Sequence, residues 1–164
     1  MGKAAKIVIV ENTLSDRFTL YMKNTNPGGP VDVKAKSAMG LQLINNVVNG
    51  SPGSSVTPPV LTGRLRASGS AFVGGRFVGD TSKLGVSGGQ ATPNRSYSEK
   101  NTVVTIGFNT EYAARWHERP FRPGPVSTQS GNVGTKYVEK HLKADGKEIF
   151  QLYADIVRRE TSKL

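Results

Sequence analysis

Apolar side chains change their spacing several times along this chain, and most sharply between Thr102 and Glu118. From Thr102 to Phe108 β-branched residues and one aromatic alternate as in a strand, and from Thr110 onward the apolar positions recur at helical spacing. The pattern predicts a strand ending at Asn109. Asn109 or Thr110 then N-caps a helix, with Glu111 at the positive end of its dipole. On that helix Tyr112, Ala113 and Trp116 share one face, which carries the only tryptophan of the chain.

The same reading places further elements on either side. Ala5 to Val10, rich in Ile and Val, predicts a short strand. Leu14 to Lys23 fits either period and is read as a helix, followed by a loop of turn formers from Asn24 to Pro30. Val31 to Val48 predicts a long amphipathic helix with Pro30 in its first turn and Asn49-Gly50 as its stop. Gly40 within it is expected to allow close packing or a kink. After a Gly, Ser and Pro linker from Gly50 to Pro59, Leu65 to Val73 reads as a strand or as a helical turn leading into one, with Thr62 able to cap the turn. Phe77 and Val78 begin a return strand. Residues 79–100 hold four glycines and four serines with few apolar side chains, which predicts a flexible basic arm or hairpin insertion. Residues 119–134 form a Pro/Gly-rich loop. Thr135 is expected to cap a helix that breaks at Asp145-Gly146 and resumes through Ile149, Leu152, Tyr153, Ile156 and Val157.

These elements imply an α+β fold: a small antiparallel sheet packed by helices on one face, with long flexible loops, in a single domain spanning residues 1–164. Such a chain can bury roughly 70% of its extended surface without staples. It contains no cysteine, so disulfides and thiolate metal sites are excluded, and a cytosolic setting fits. The apolar run Ile7 to Val10 is too short for a signal segment or a membrane span.

Charge adds a partner question. A net charge of +10 invites an anionic surface, nucleic acid or protein. Five cations, Arg64, Arg66, Arg76, Lys83 and Arg95, stand between Gly63 and Tyr97 against the single carboxylate of Asp80. With Arg119 and Arg122 they are the candidates for a subunit interface or a DNA-facing surface.

Catalytic patterns are sparse. His117-Glu118 lacks the second histidine of a zinc-protease helix, because Phe121 stands in its place. Gly74-Gly75 and Gly88-Gly89 lack the Lys-Ser or Lys-Thr of a phosphate loop, and no serine has a G-x-S-x-G setting. Neither a catalytic constellation nor a cofactor is expected.

Three phrases in this order resemble the neck and tail-completion proteins of long-tailed bacteriophages, the head-tail joining or minor capsid family. They are Leu61-Thr-Gly-Arg-Leu-Arg-Ala-Ser68, the V-x-I-G-F-N strand through Gly107 into Thr110-Glu-Tyr-Ala-Ala-Arg-Trp-His-Glu118, and Gly134-Thr-Lys-Tyr-Val-Glu-Lys-His-Leu142. The first follows a helix that ends in a loop with proline, the third opens the terminal helices, and the resemblance covers about Val31 to Arg159. The motif residues are Thr62, Gly63, Leu65, Gly107, Tyr112, Ala113, Trp116 and Tyr137, with Leu152 and Ile156 in the terminal helix. Gly40, the long 79–100 insertion and the proline spacing after Glu118 depart from the family pattern and leave open which neck ring is meant.

The resemblance implies a structural virion protein that forms a homo-oligomeric ring, expected to be a hexamer, at the head-tail junction, between portal-side connector and tail-tube proteins and assembled in the host cytoplasm. It implies no cofactor and no turnover, and leaves open whether the basic residues meet passing genomic DNA or neighbouring subunits. The rival reading from charge alone is a basic nucleic-acid-binding module, and a hydrolase using His117 and Glu118 is a distant third.

Overall fold

The structure is a computed structural model that describes residues 7–9, 28–60, 62–81, 103–129 and 132–162. The predicted Leu14–Lys23 helix, Lys83, Arg95 and most of the 79–100 segment lie outside these residues.

Strand β1 (Ile7–Ile9) is followed by helix α1 (Pro30–Asn49), the short helix α2 (Arg64–Ala67) and strands β2 (Gly69–Val73), β3 (Arg76–Asp80) and β4 (Val104–Phe108). Three helices complete the chain, α3 (Ala113–Glu118), α4 (Pro125–Gln129) and α5 (Tyr137–Thr161). The strands form one antiparallel sheet in the order β1-β4-β2-β3. Helix α1 lies on β2, β3 and β4, and α5 packs on α1. The expected α+β class is what the chain adopts.

Local chemistry explains most boundaries. Pro30 opens α1, and Gly50, at φ 82°, ends it in a backbone region that side chains rarely enter. The glycines of the β2–β3 connection, Gly74 and Gly75, have φ of 54° and 74°, as a two-residue hairpin turn with positive φ at both positions requires. That turn is the use of a pair which is no phosphate loop. Residues 64–73 take the second of the two forms expected, a helical turn and then a strand.

Gly40 serves close approach. A Cβ there would stand 3.2 Å from Val104 Cγ1 and 3.4 Å from Ala71 Cβ, so its absence lets α1 settle onto the sheet. The buried stripe of α1 includes Ala35, Met39, Leu43, Ile44 and Val47, while Gln42, expected within the stripe, and Leu41, expected to widen it, are exposed. Ile149, Tyr153, Ile156 and Val157 of α5 close over that stripe, each worth on the order of 1.5–3 kcal/mol before entropy is subtracted. Leu152 is partly buried beside them.

Five expectations are corrected. Helix α3 begins at Ala113 with Tyr112 as N-cap and no side-chain cap, so neither Asn109 nor Thr110 plays that part. The N-cap of α5 is Lys136 rather than Thr135, held at φ 55°. Asp145-Gly146 does not break α5: Asp145 is buried with partners, and a side chain at Gly146 would meet only open space, so the helix runs through. The 119–134 loop contains α4. The insertion after β3 starts later than residue 79, because Gly79 and Asp80 pair with β2 and the fully buried Thr81 receives the Gly69 N–H at 3.0 Å.

Candidate functional site: an apolar groove framed by the two motif phrases

The segment after β4 and the segment before β2 meet at the surface. Asn109 N–H donates to Ser68 O at 3.1 Å, which sets the end of β4 beside the end of α2. From that junction Thr62, Gly63 and Leu65 face Tyr112 and Trp116 across an open groove of about 530 Å³. Pro59 and Val60 extend one wall, and Phe121, Pro125 and Val126 extend the other. The cations along it are Arg64, Arg115 and Arg122, and the lining includes no carboxylate. Its volume falls within the usual range for ligand and peptide pockets, about 300–1,000 Å³.

The groove is built on pinned backbone. Ser127, buried in the middle of α4, accepts from Val60 N–H at 2.9 Å and donates to Val60 O at 2.6 Å, stapling the two walls together. Arg66 turns inward: its Nε donates to Pro58 O at 2.9 Å and its Nη2 to Thr57 Oγ1 at 2.7 Å. Burial lowers its guanidinium pKa from the ordinary value, since desolvation opposes the charge. Thr57 N–H in turn donates to Asn132 O at 2.9 Å. What composition presented as a linker is a fastened wall.

Gly63 shapes the turn into α2 at φ 74°, as its N-cap, whereas Thr62, expected to cap, lies 3.5 Å from Arg64 N. Gly63→Ala is expected to cost roughly 1–2 kcal/mol in chemical denaturation, because a Cβ is strained at that φ. Gly124→Ala, on the opposite wall, meets nothing within 4 Å and should leave stability unchanged or slightly raised.

Trp116 is half-buried. Phe121 packs against it edge-on, with centroids 4.8 Å apart, and the Arg115 guanidinium lies 5.7 Å from the ring centre. Ala113 is buried beneath, and Tyr137 donates toward Ala113 O at 3.4 Å from α5. Two of the motif phrases therefore converge on the groove, and the third reaches the second through Tyr137 and Ala113.

The remaining candidates are dispersed. Arg76 is exposed at the start of β3, Arg119 is exposed after α3, and Gly107 lies within β4 opposite Ser70. Ile156 is buried in the α1–α5 core. Arg115, which belongs to the groove, was missed, although it stands beside Trp116 in the phrase that carries the aromatic face.

Two polar clusters have the residue types of chemistry without its geometry. Ser51, His141 and Asp145 meet where the loop after α1 touches α5. His141 Nδ1 lies 2.8 Å from Asp145 Oδ2 and 3.3 Å from Ser51 Oγ, and Nε2 lies 2.8 Å from Val56 O. A hydrolytic triad needs carboxylate and serine on opposite ring nitrogens. Here they share one nitrogen, the other is committed to backbone, and Ser51 donates to the carboxylate at 2.7 Å. The cluster is a fastener for the groove wall. Burial pushes the Asp145 carboxyl up, but hydrogen bonds from His141, Ser51 and Asn46 outweigh this and hold it below its ordinary value.

In the second cluster, His117 Nδ1 lies 2.7 Å from Glu118 Oε1, with Glu139 near enough for the three to resemble a cation site. The Lys136 ammonium bridges Glu118 and Glu139, placing a positive charge between the two carboxylates. Hydrogen bonds from Lys136 first and His117 second hold the Glu118 carboxyl below its usual range.

Comparison with protein-family models, curated proteins and solved structures returned no match. Among the described residues no helix is long and apolar enough to cross a membrane.

Proposed function

We propose that this chain is a structural subunit that assembles into a ring at a phage head-tail junction, joining the capsid connector to the tail tube. The observation that supports this reading is where the motif residues lie. Thr62, Gly63, Leu65, Tyr112 and Trp116, from two phrases of the resemblance, line an open apolar groove, with Leu65 rooted in the core and Tyr112 and Trp116 packed against it. Side chains so placed suit contact with another polypeptide, and ring subunits need head-to-tail contacts that close by rotation. A groove of this size anchors such a contact within a larger interface, since stable ones bury about 800 Å² per partner. The reading assigns no turnover, in keeping with the holding role of Ser51, His141 and Asp145.

Mass photometry of the purified protein, alone and mixed with portal-side and tail-tube proteins, is expected to give a closed oligomer of one defined size or its capture on a partner ring. Monomer in every mixture would overturn the proposal. The net charge of +10 favours a second reading, a nucleic-acid-binding module. That reading requires affinity for DNA to fall by about one log unit per log of salt for each phosphate neutralised.

A further inference from the structure

Arg64, Arg115 and Arg122 line the groove, and none of them pairs with a carboxylate among the described residues. Arg66, by contrast, is spent on Pro58 and Thr57. The cations of this face thus divide into one structural fastener and three exposed guanidinium groups beside an apolar trough. Val126, 44% exposed, lies in this trough and is one of two large exposed apolar side chains among the described residues.

We infer that the groove receives a peptide segment of a partner protein carrying one or two large aliphatic side chains flanked by Asp or Glu. The aliphatic side chains fill the space between Leu65 and Val126. The flanking carboxylates meet Arg64 and Arg122, whose planar forks suit two-point pairing. Nucleic acid fits less well. Of the three rings along the groove, Trp116 and Phe121 already pack on each other and Trp116 also meets Arg115, which leaves Tyr112, among the described residues, as the one ring free of such packing, too few to track successive bases. The inference rests on the assembly reading only in making the partner a protein.

The test is a random peptide library selected on the immobilised full-length protein, with binding followed through the emission of Trp116, the sole tryptophan. Enriched peptides are expected to combine aliphatic anchors with neighbouring Asp or Glu and to shift that emission to the blue. The doubly substituted variant Arg64→Glu, Arg122→Glu should bind them about tenfold or more weakly and should regain affinity for the same peptides rewritten with Lys. Val126→Asp should abolish binding. All three positions are exposed, and circular dichroism checks that the variants remain folded.

No enrichment, enrichment without acidic residues, or equal binding by the variants overturns the inference. So does tighter binding of oligodeoxythymidylate with loss of Trp116 emission, which makes nucleic acid the occupant. A homo-oligomer that dissociates on Val126→Asp and selects no peptide does the same, with a second copy as occupant. A ring-forming protein that selects no acidic peptide loses this inference and keeps the proposed function, whereas a monomer that selects them does the reverse.

Discussion

Replacing Asp145 by alanine is expected to lower the unfolding free energy by about 3–5 kcal/mol, because several buried polar groups lose an acceptor at roughly 1–3 kcal/mol for each left unsatisfied. The carboxylate is 1% exposed and takes hydrogen bonds from Asn46 at 3.1 Å, Ser51 at 2.7 Å and His141 at 2.8 Å. Its loss takes a partner from three polar groups at once, leaving Ser51 its bonds to Ser54 and His141 its contact with Val56 O, and loosens the loop that leads through Val56 and Pro58 to the groove. Asp145→Asn keeps the shape and removes the charge, and should fall between wild type and alanine in urea denaturation.

The same cluster sets an acid limit. The folded Asp145 pKa lies below the unfolded value near 3.8, so the unfolded chain binds the proton more readily. The stability this gives is fully present above the unfolded value and is lost as pH falls through the folded one. Unfolding free energy measured downward from pH 5 should therefore drop for wild type and drop less for Asp145→Asn, which has no carboxyl to titrate there.

Tyr137→Ala is expected to cost about 3–5 kcal/mol, and Tyr137→Phe no more than about 1 kcal/mol. The ring is 1% exposed and meets Phe108 and His117 edge-on, with centroids 5.8 Å and 4.8 Å away, so it joins β4, α3 and α5. Its hydroxyl reaches Ala113 O only at 3.4 Å, a long and weak bond. Packing therefore dominates, and the ratio of the two effects in thermal or chemical denaturation checks it. Because Ala113 and Trp116 stand on this ring's support, Tyr137→Ala should also shift Trp116 emission toward the red.

Elements with a sustained period were legible in the sequence. The α1 stripe, the strand ending near Phe108, the return strand after Phe77 and the stripe from Ile149 to Val157 each repeat often enough to be read without tertiary information. Boundaries set by backbone dihedrals rather than side-chain caps were not. Gly63 and Lys136 occupy left-handed conformations at the helix starts, where Thr62 and Thr135 offered plausible hydroxyls. Asp145-Gly146 looked like a break because a buried aspartate within a helix makes sense only once Ser51 and Asn46 arrive from elsewhere.

The site was half legible for a similar reason. The motif phrases singled out Thr62, Gly63, Leu65, Tyr112 and Trp116, yet nothing in their order indicated that they enclose a groove. Arg64 and Arg66 read alike along the chain, and only the path of the loop through Pro58 tells the fastener from the exposed cation. The Ser51–His141–Asp145 cluster was invisible apart from the helical spacing of its last two members, because its serine stands 90 residues from its histidine.

The pairing of β1 with β4 carries a temporal consequence. Ile7 lies across from Ile106, so β1 waits for about a hundred more residues of the chain before its neighbour exists. Closing a loop of that length costs roughly 4 kcal/mol in chain entropy, whereas the glycine turn joins β2 to β3 almost without delay. By this entropy alone the β2–β3 hairpin is expected to close ahead of the seam between β1 and β4.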